Sequence, residues 1–221
     1  MDKHVSSVAF FDLDYTLLNT SSGLVYLQEI IKQRRAPLWY VAYVSLSYQL
    51  RRIDFGETHL RLMRYVGQKG AAETRQFFKE WVNRALLPRL VPAGLDKISW
   101  HRQQGHQVVI ISASIEEIVQ PVAEYLGLQN NYLGSRLATK DNRYTGQLEA
   151  PLCYGQGKVY WAKQWSDQNN LPFPQSISYF YTDRSSDLPL LELTDHPVAV
   201  NPSRRLAKIA AVRGWPIERF Y

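Results

Sequence analysis

The chain has 221 residues, enough for one large domain or for one domain carrying an insertion. Hydrophobic residues make up 45% and charged residues 21%, which excludes a disordered chain, and the single cysteine, Cys153, excludes an internal disulfide. The net charge of +6 is concentrated: residues 20–92 hold 12 Lys/Arg against 5 Asp/Glu, a balance of +7, which leaves −1 for the rest. Such a basic segment is either a solvated helix face or a surface for an anionic partner. The start, Met1-Asp2-Lys3-His4, shows no basic-then-apolar leader, so a cytoplasmic location is the expectation.

In chain order, the first apolar run is Val8–Asp12, which ends abruptly in an acidic turn and reads as a strand buried on both faces. Residues 20–92 then show helical patterns (Leu60, Met63 and Val66; Phe77, Phe78, Trp81 and Val82) and no convincing strand, and Pro88 and Pro92 close them. Within them, Ala36–Leu50 is 15 apolar-rich residues between Lys32, Arg34 and Arg35 on one side and Arg51 and Arg52 on the other. A membrane span needs ~20 residues, so a buried helix of the insertion is expected, with interfacial membrane contact as the minority reading. Val108–Ser112 is the second strand, and Ile115–Leu126 follows with helical spacing. Alternation over Tyr132–Glu149, around Asp141-Asn142, predicts a β-hairpin. Lys158–Trp165 is a helix candidate, Ile177–Thr182 a strand, Leu188–Leu193 a short helix and Val198–Val200 a last strand. Strands alternating with helices predict an α/β fold: a Rossmann-like parallel sheet with helices on both faces, built from residues 1–19 and 93–221, plus an inserted helical bundle at 20–92.

Ligands of open parallel sheets bind beyond the carboxyl ends of the strands. Polar residues cluster at those ends: Asp12 and Asp14, Ser112 and Ser114, Asp183 and Asp187, with Lys158 opening a helix after Gly155 and Gly157. Carboxylates gathered so closely call for a cation. Hard oxygen ligands without His or Cys partners favour Mg²⁺ over zinc. A cation, an ammonium and a hydroxyl suit a phosphoryl group, which a carboxylate can attack as nucleophile.

Four motifs occur in order: Asp12-Leu13-Asp14-Tyr15-Thr16; Ser112 at the end of its strand; Lys158 within Gly155-Gln156-Gly157-Lys158-Val159; and Thr182-Asp183-Arg184-Ser185-Ser186-Asp187. With them the chain resembles the haloacid dehalogenase superfamily, in its phosphoserine-phosphatase-like branch with a helical cap after the first strand. The resemblance extends over nearly the whole chain, including His196–Trp215. It implies a Mg²⁺-dependent phosphomonoester hydrolase acting on a small anionic phosphorylated substrate. Asp12 would be the nucleophile and Asp14 the acid and base. Ser112 and Lys158 would hold the phosphate. Asp12, the Asp14 carbonyl and Asp183 would hold the metal, with Asp187 beside it directly or through water. Asp187 as a mere helix N-cap is the bland alternative.

Departures from that branch concern the substrate. Ser21 stands where phosphoserine phosphatases carry the glutamate that pairs with the substrate ammonium. Arg61 sits loosely where a cap arginine is expected, and Arg184 offers a contact to a second anionic group or points away. Alternatives are a lipid-phosphate phosphatase at a membrane surface, phosphotransfer to an alcohol, and a non-catalytic basic binding protein. The last is disfavoured because every catalytic group is present, and the insertion carries no nucleic-acid motif.

Overall fold

The computed structural model describes residues 7–34, 37–50, 52, 58, 61, 70–171, 173–174 and 177–221. Its strands are β1 Val8–Phe11, β2 Gln107–Ile115, β3 Tyr132–Ser135, β4 Leu137–Lys140, β5 Arg143–Leu148, β6 Ser178–Thr182, β7 His196–Val200 and β8 Ile217–Glu218. Six of them form one parallel sheet in the order β3-β2-β1-β6-β7-β8, and β4 and β5 form a separate antiparallel pair. The α/β expectation is met.

Strand periodicity divides the core. Ala9 and Phe11 face one side of the sheet together with Val108 and Ile110, and Val8 and Phe10 face the other with Val109 and Ile111. The first side is covered by α4 (Pro92–Gln103) and α5 (Glu116–Tyr125). The second is covered by α6 (Gln156–Gln168), α7 (Leu188–Leu191) and α8 (Arg204–Arg213). Phe10, fully buried, meets Trp165 and Phe173 edge-on at centroid distances of 6.1 and 5.7 Å. Truncating such a side chain costs about 3–5 kcal/mol.

The chain leaves the sheet through a narrow neck. Leu18 and Leu90 pair in an antiparallel bridge, the Val91 N–H donates to the Leu17 carbonyl (2.9 Å), and the Asn19 N–H donates to the Arg89 carbonyl (3.1 Å). Beyond it lie α1 (Ser22–Lys32), α2 (Leu38–Gln49) and α3 (Ala71–Ala85). The pattern around Phe77–Val82 becomes the buried face of α3, where Phe78 and Trp81 close on Tyr26 of α1. Leu60, Met63 and Val66 fall outside the described residues.

Two expectations are corrected. The stretch Ala36–Leu50 does contain a helix, α2, but not a buried one. Val41, Val44 and Ser47 are buried, whereas Leu38, Trp39, Tyr43 and Leu46 are more than half exposed. A sequence apolar all round does not reveal which face finds neighbours, and among the described side chains it is the stripe of Val41, Val44 and Ser47 that does. The predicted hairpin is shorter than Tyr132–Glu149, because Tyr132–Ser135 pairs with β2 in the main sheet, with Ile110 opposite Tyr132. The turn itself stands where expected: Asp141 and Asn142 both take positive φ (49° and 58°), as a tight hairpin turn requires. Among the described residues, no helix is long and apolar enough to cross a membrane.

Candidate active site

The chain runs outward from β1 through β2 to β3, then returns to place β6 on the other side of β1. The crevice beyond β1 and β6 is therefore the topological switch point, where open α/β sheets bind ligands. Asp12 enters it directly after β1, its N–H donating to the Tyr181 carbonyl (2.9 Å). The backbone then turns sharply over Leu13–Leu17, with Tyr15 in the left-handed region (φ 56°, ψ 7°), a conformation that costs a side-chain-bearing residue about 1–3 kcal/mol. The Tyr221 hydroxyl (3.3 Å) and the Asn201 amide (3.5 Å) donate to the Tyr15 carbonyl and brace the turn.

Lys158 reaches the crevice from the first turn of α6. Only glycine fits at the preceding position, because a Cβ on Gly157 would lie 1.7 Å from the Leu152 carbonyl oxygen. The ammonium is 2% exposed and donates to Asp12 Oδ1 and to Asp187 Oδ2, each at 2.7 Å. Thr182 Oγ1 donates to the same Asp187 oxygen (2.6 Å). Asp187 opens α7, but its carboxylate serves these two donors and makes no side-chain cap. Burial works against the charge on Lys158, yet the Asp12 and Asp187 carboxylates more than compensate and raise its pKa. Burial pushes the Asp12 carboxyl up to about 7, although Lys158 opposes it, and the Asp187 charge adds to the rise.

Asp183 follows β6. Burial first, then the Asp12 charge, push its carboxyl up to about 8 against the pull of Arg184. Its Oδ2 pairs with Arg184 Nε (2.8 Å), and its Oδ1 is buried without a hydrogen-bond partner. An orphaned carboxylate oxygen beside a second ionisable carboxylate marks a place for a cation. Among the described residues, no three His, Cys, Asp or Glu side chains converge on one metal point. The donor set of Asp12, Asp183 and the Asp14 carbonyl fits Mg²⁺ nonetheless, since that ion is commonly held by one or two carboxylates and keeps several waters.

Asp14 turns toward the insertion. Its Oδ1 accepts from the Ser22 N–H (2.9 Å), and its Oδ2 accepts from Ser22 Oγ (3.1 Å) and Ser21 Oγ (3.2 Å). Burial raises its pKa against these bonds. Ser112, on the neighbouring strand, is buried, and its hydroxyl accepts the Ser114 N–H (3.2 Å).

A model of haloacid dehalogenase-like hydrolases matches residues 9–192. The chain belongs to the haloacid dehalogenase-like hydrolase family. A probable phosphatase of Mycobacterium tuberculosis is 34% identical over 223 residues, covering 97% of this hydrolase and 75% of the relative. A histidinol-phosphatase of Neisseria meningitidis is 32% identical, covering 98% of this chain and all of that one. A structure from Bordetella pertussis, of a protein of unknown function, superposes with a TM-score of 0.89 at 26% identity, covering 98% of this chain and 100% of that chain. A phospho-aspartyl intermediate analogue of a phosphoserine phosphatase shares the fold, with a TM-score of 0.67 at 15% identity, over 98% of this chain and 94% of that one.

In this haloacid dehalogenase-like hydrolase, Asp12, Lys158, Asp183 and Asp187 stand at strand ends or helix starts around the crevice. Asp14 stands in the turn after β1, and Ser112 lies within β2, which runs on to Ile115 instead of ending at Ser112. Arg184 stands with them, 54% exposed in its side chain, its guanidinium over the Tyr15 ring at 5.1 Å. Ser21 caps α1 by accepting the Leu24 N–H (3.4 Å), besides its bond to Asp14. Arg61 is engaged within the insertion: its guanidinium lies 5.9 Å from the Tyr43 ring centre and hydrogen-bonds to that residue, whose pKa it lowers. Reading the sequence missed Ser22 and the role of Thr182. The signal for Ser22 was a second serine at a helix start, eight residues beyond Asp14.

Proposed function

We propose that this chain is a Mg²⁺-dependent phosphomonoester hydrolase that passes through an aspartyl-phosphate on Asp12, with a small phosphorylated metabolite as substrate. The observation that carries the reading is the buried Lys158 ammonium, held 2.7 Å from both Asp12 and Asp187 at the switch-point crevice. A buried lysine bound in this way keeps its charge and fixes the Asp12 carboxylate, leaving one oxygen for attack. Membership of a hydrolase family and two relatives named as phosphatases support it.

In the first half-reaction an Asp12 oxygen bonds to phosphorus. The P–O bond to the ester oxygen breaks, and that oxygen takes a proton from Asp14. In the second half, water attacks the same phosphorus while Asp14 takes its proton, and the Asp12 carboxylate leaves. Ser112 and Lys158 hold the phosphoryl oxygens throughout. Asp12, Asp183 and the Asp14 carbonyl would hold Mg²⁺, which would supply charge neutralisation of the phosphoryl group. Residues 20–92 act as a cap that closes over the crevice and excludes water. Asp12→Asn should abolish phosphate release while the fold survives, since the amide is nearly isosteric but cannot form the acyl-phosphate. Near-normal turnover by the purified variant overturns the nucleophile assignment.

The exposed face of α2 favours a second reading, in which the substrate is presented at an anionic lipid surface. Trp39 and Leu38 are 71% and 67% exposed. No acidic residue occurs between Glu29 and Asp54, while Lys32, Arg34, Arg35, Arg51 and Arg52 do. An apolar helix face with basic flanks matches an interfacial helix. Co-sedimentation with phosphatidylglycerol vesicles, weakened in Trp39→Glu and absent with neutral vesicles, is the expected result. Failure to bind the anionic vesicles overturns this reading, and a concentration-dependent dimer lost in the same variant assigns the face to a second copy.

A further inference from the structure

We infer that Ser22 directly, and Ser114 through Ser22, are positioning residues that fix the Asp14 carboxylate at the neck. The inference rests on the reading of Asp14 as the acid and base. Ser22 Oγ and Ser114 Oγ are 2.6 Å apart, and the two residues are 0% and 5% exposed, so water does not compete for their bonds. Each hydroxyl has one proton to give. When Asp14 is ionised its oxygens only accept, so the Ser22 proton lies on Asp14 Oδ2 (3.1 Å) and Ser22 Oγ accepts the proton of Ser114. The chain of bonds therefore runs from Ser114 to Ser22 to Asp14.

Three parts of the molecule meet in that chain. Asp14 belongs to the loop after β1, Ser22 is the first residue of α1 in the insertion, and Ser114 lies on β2 two residues beyond Ser112. The Ser114 N–H in turn donates to Ser112 Oγ, which connects the chain to the proposed phosphate ligand. Helix capping does not account for the hydroxyls. Ser21 is the N-cap, and Ser22 satisfies its own otherwise orphaned N–H on Asp14 Oδ1 (2.9 Å). One residue of the insertion thus grips both carboxylate oxygens. The torsion that swings an Asp carboxylate is broad and soft, so a lone carboxylate has no fixed aim, whereas a two-point grip gives it one. An acid that must deliver its proton to one ester oxygen depends on that aim.

The test exploits the leaving group. With Mg²⁺ present, Ser22→Ala, Ser114→Ala and the double variant are assayed on an alkyl phosphate and on p-nitrophenyl phosphate. An alkoxide needs the proton from Asp14 to depart and a nitrophenolate hardly does. For Ser22→Ala, kcat on the alkyl ester should fall about tenfold, with much smaller changes on the nitrophenyl ester and in KM. Ser114→Ala should show the same selectivity to a smaller degree, and the double variant should match Ser22→Ala alone. If Ser22→Ala does not fold, Ser114→Ala carries the same comparison. Equal losses on both esters, no loss, a gain, or additive losses overturn the inference. Wild type inert toward both esters, or an active Asp12→Asn, overturns the functional reading and this inference with it. An active wild type and a dead Asp12→Asn alongside a serine variant indifferent to the leaving group overturn the positioning role alone.

Discussion

At the crevice, the Lys158 ammonium is out of reach of solvent and bound by two carboxylates at 2.7 Å. In the insertion, surplus cations such as Lys32, Arg34 and Arg52 are exposed, and Arg84 meets Glu29 (2.8 Å) with its side chain 65% accessible. The same kinds of residue thus do different things in the two regions. Exposed ion pairs are worth about 0–1 kcal/mol, whereas breaking a buried one by removing a partner costs about 3–5 kcal/mol. Charge in the crevice is locked into the fold, and much of the charge in the insertion faces solvent.

The comparison can be broken most forcefully by removing the cation. EDTA should reduce phosphate release to background and Mg²⁺ should restore it. Activity that ignores Mg²⁺ and requires zinc would contradict a crevice of oxygen donors. Next in size, Lys158→Met should leave Asp12 and Asp187 buried without their counter-charge and cost about 3–5 kcal/mol, read from chemical denaturation. Arg84→Ala in the insertion should cost less than about 1 kcal/mol. Similar costs for the two would erase the distinction between the regions.

A smaller effect tests substrate choice. Ser21 brings no negative charge, and Arg184 stands half-exposed at the rim. Phosphate esters with a second anionic group should therefore be turned over better than phosphoserine, by about ten- to a hundredfold in kcat/KM, and Arg184→Ala should narrow that gap. A wild-type preference for phosphoserine, or for the histidinol phosphate suggested by the Neisseria relative's name, would move specificity to other residues.

The smallest effect lies away from both regions, under the sheet. His101 is fully buried, with Nδ1 2.8 Å from His106 Nδ1 and Nε2 2.9 Å from the Tyr181 hydroxyl. Burial, then the neighbouring His106 and Lys97, hold its pKa down to about 3, against 6.5 for a free imidazole. Burial and His196 lower that of His106 as well. Between those values the unfolded chain binds more protons than the folded one. Stability from this cluster is therefore complete above about pH 6.5 and is lost as the pH falls toward 3. Tm should drop by a few degrees between about pH 6.5 and 5, and His101→Asn should flatten that slope. An unchanged slope in the variant would assign the acid sensitivity to other groups.

The sequence by itself determined the catalytic scaffold. A strand buried on both faces reads as a largely apolar run, and three of the four runs here are followed by a polar residue placed at the crevice, Asp12, Ser112 and Asp183, the fourth by Asn201. Gly157-Lys158 was legible for a similar reason, since the glycine leaves a mark in the sequence wherever a Cβ would collide with backbone. Tertiary structure alone decided the rest. Composition said that α2 was apolar, but only its neighbours decided that Val41 and Val44 are covered and Trp39 is not. The two residues of β8 carry too little pattern to read as a strand until β7 lies beside them. Arg61 was legible as a cation of the insertion, but its place over the Tyr43 ring is set only in the folded chain. Ser22 and Ser114, 92 positions apart, acquired their relation to Asp14 only when the neck closed. Local periodicity encodes what a segment is able to bury. Hydrogen bonds between distant polar side chains have no period, so their partners exist only in the folded chain.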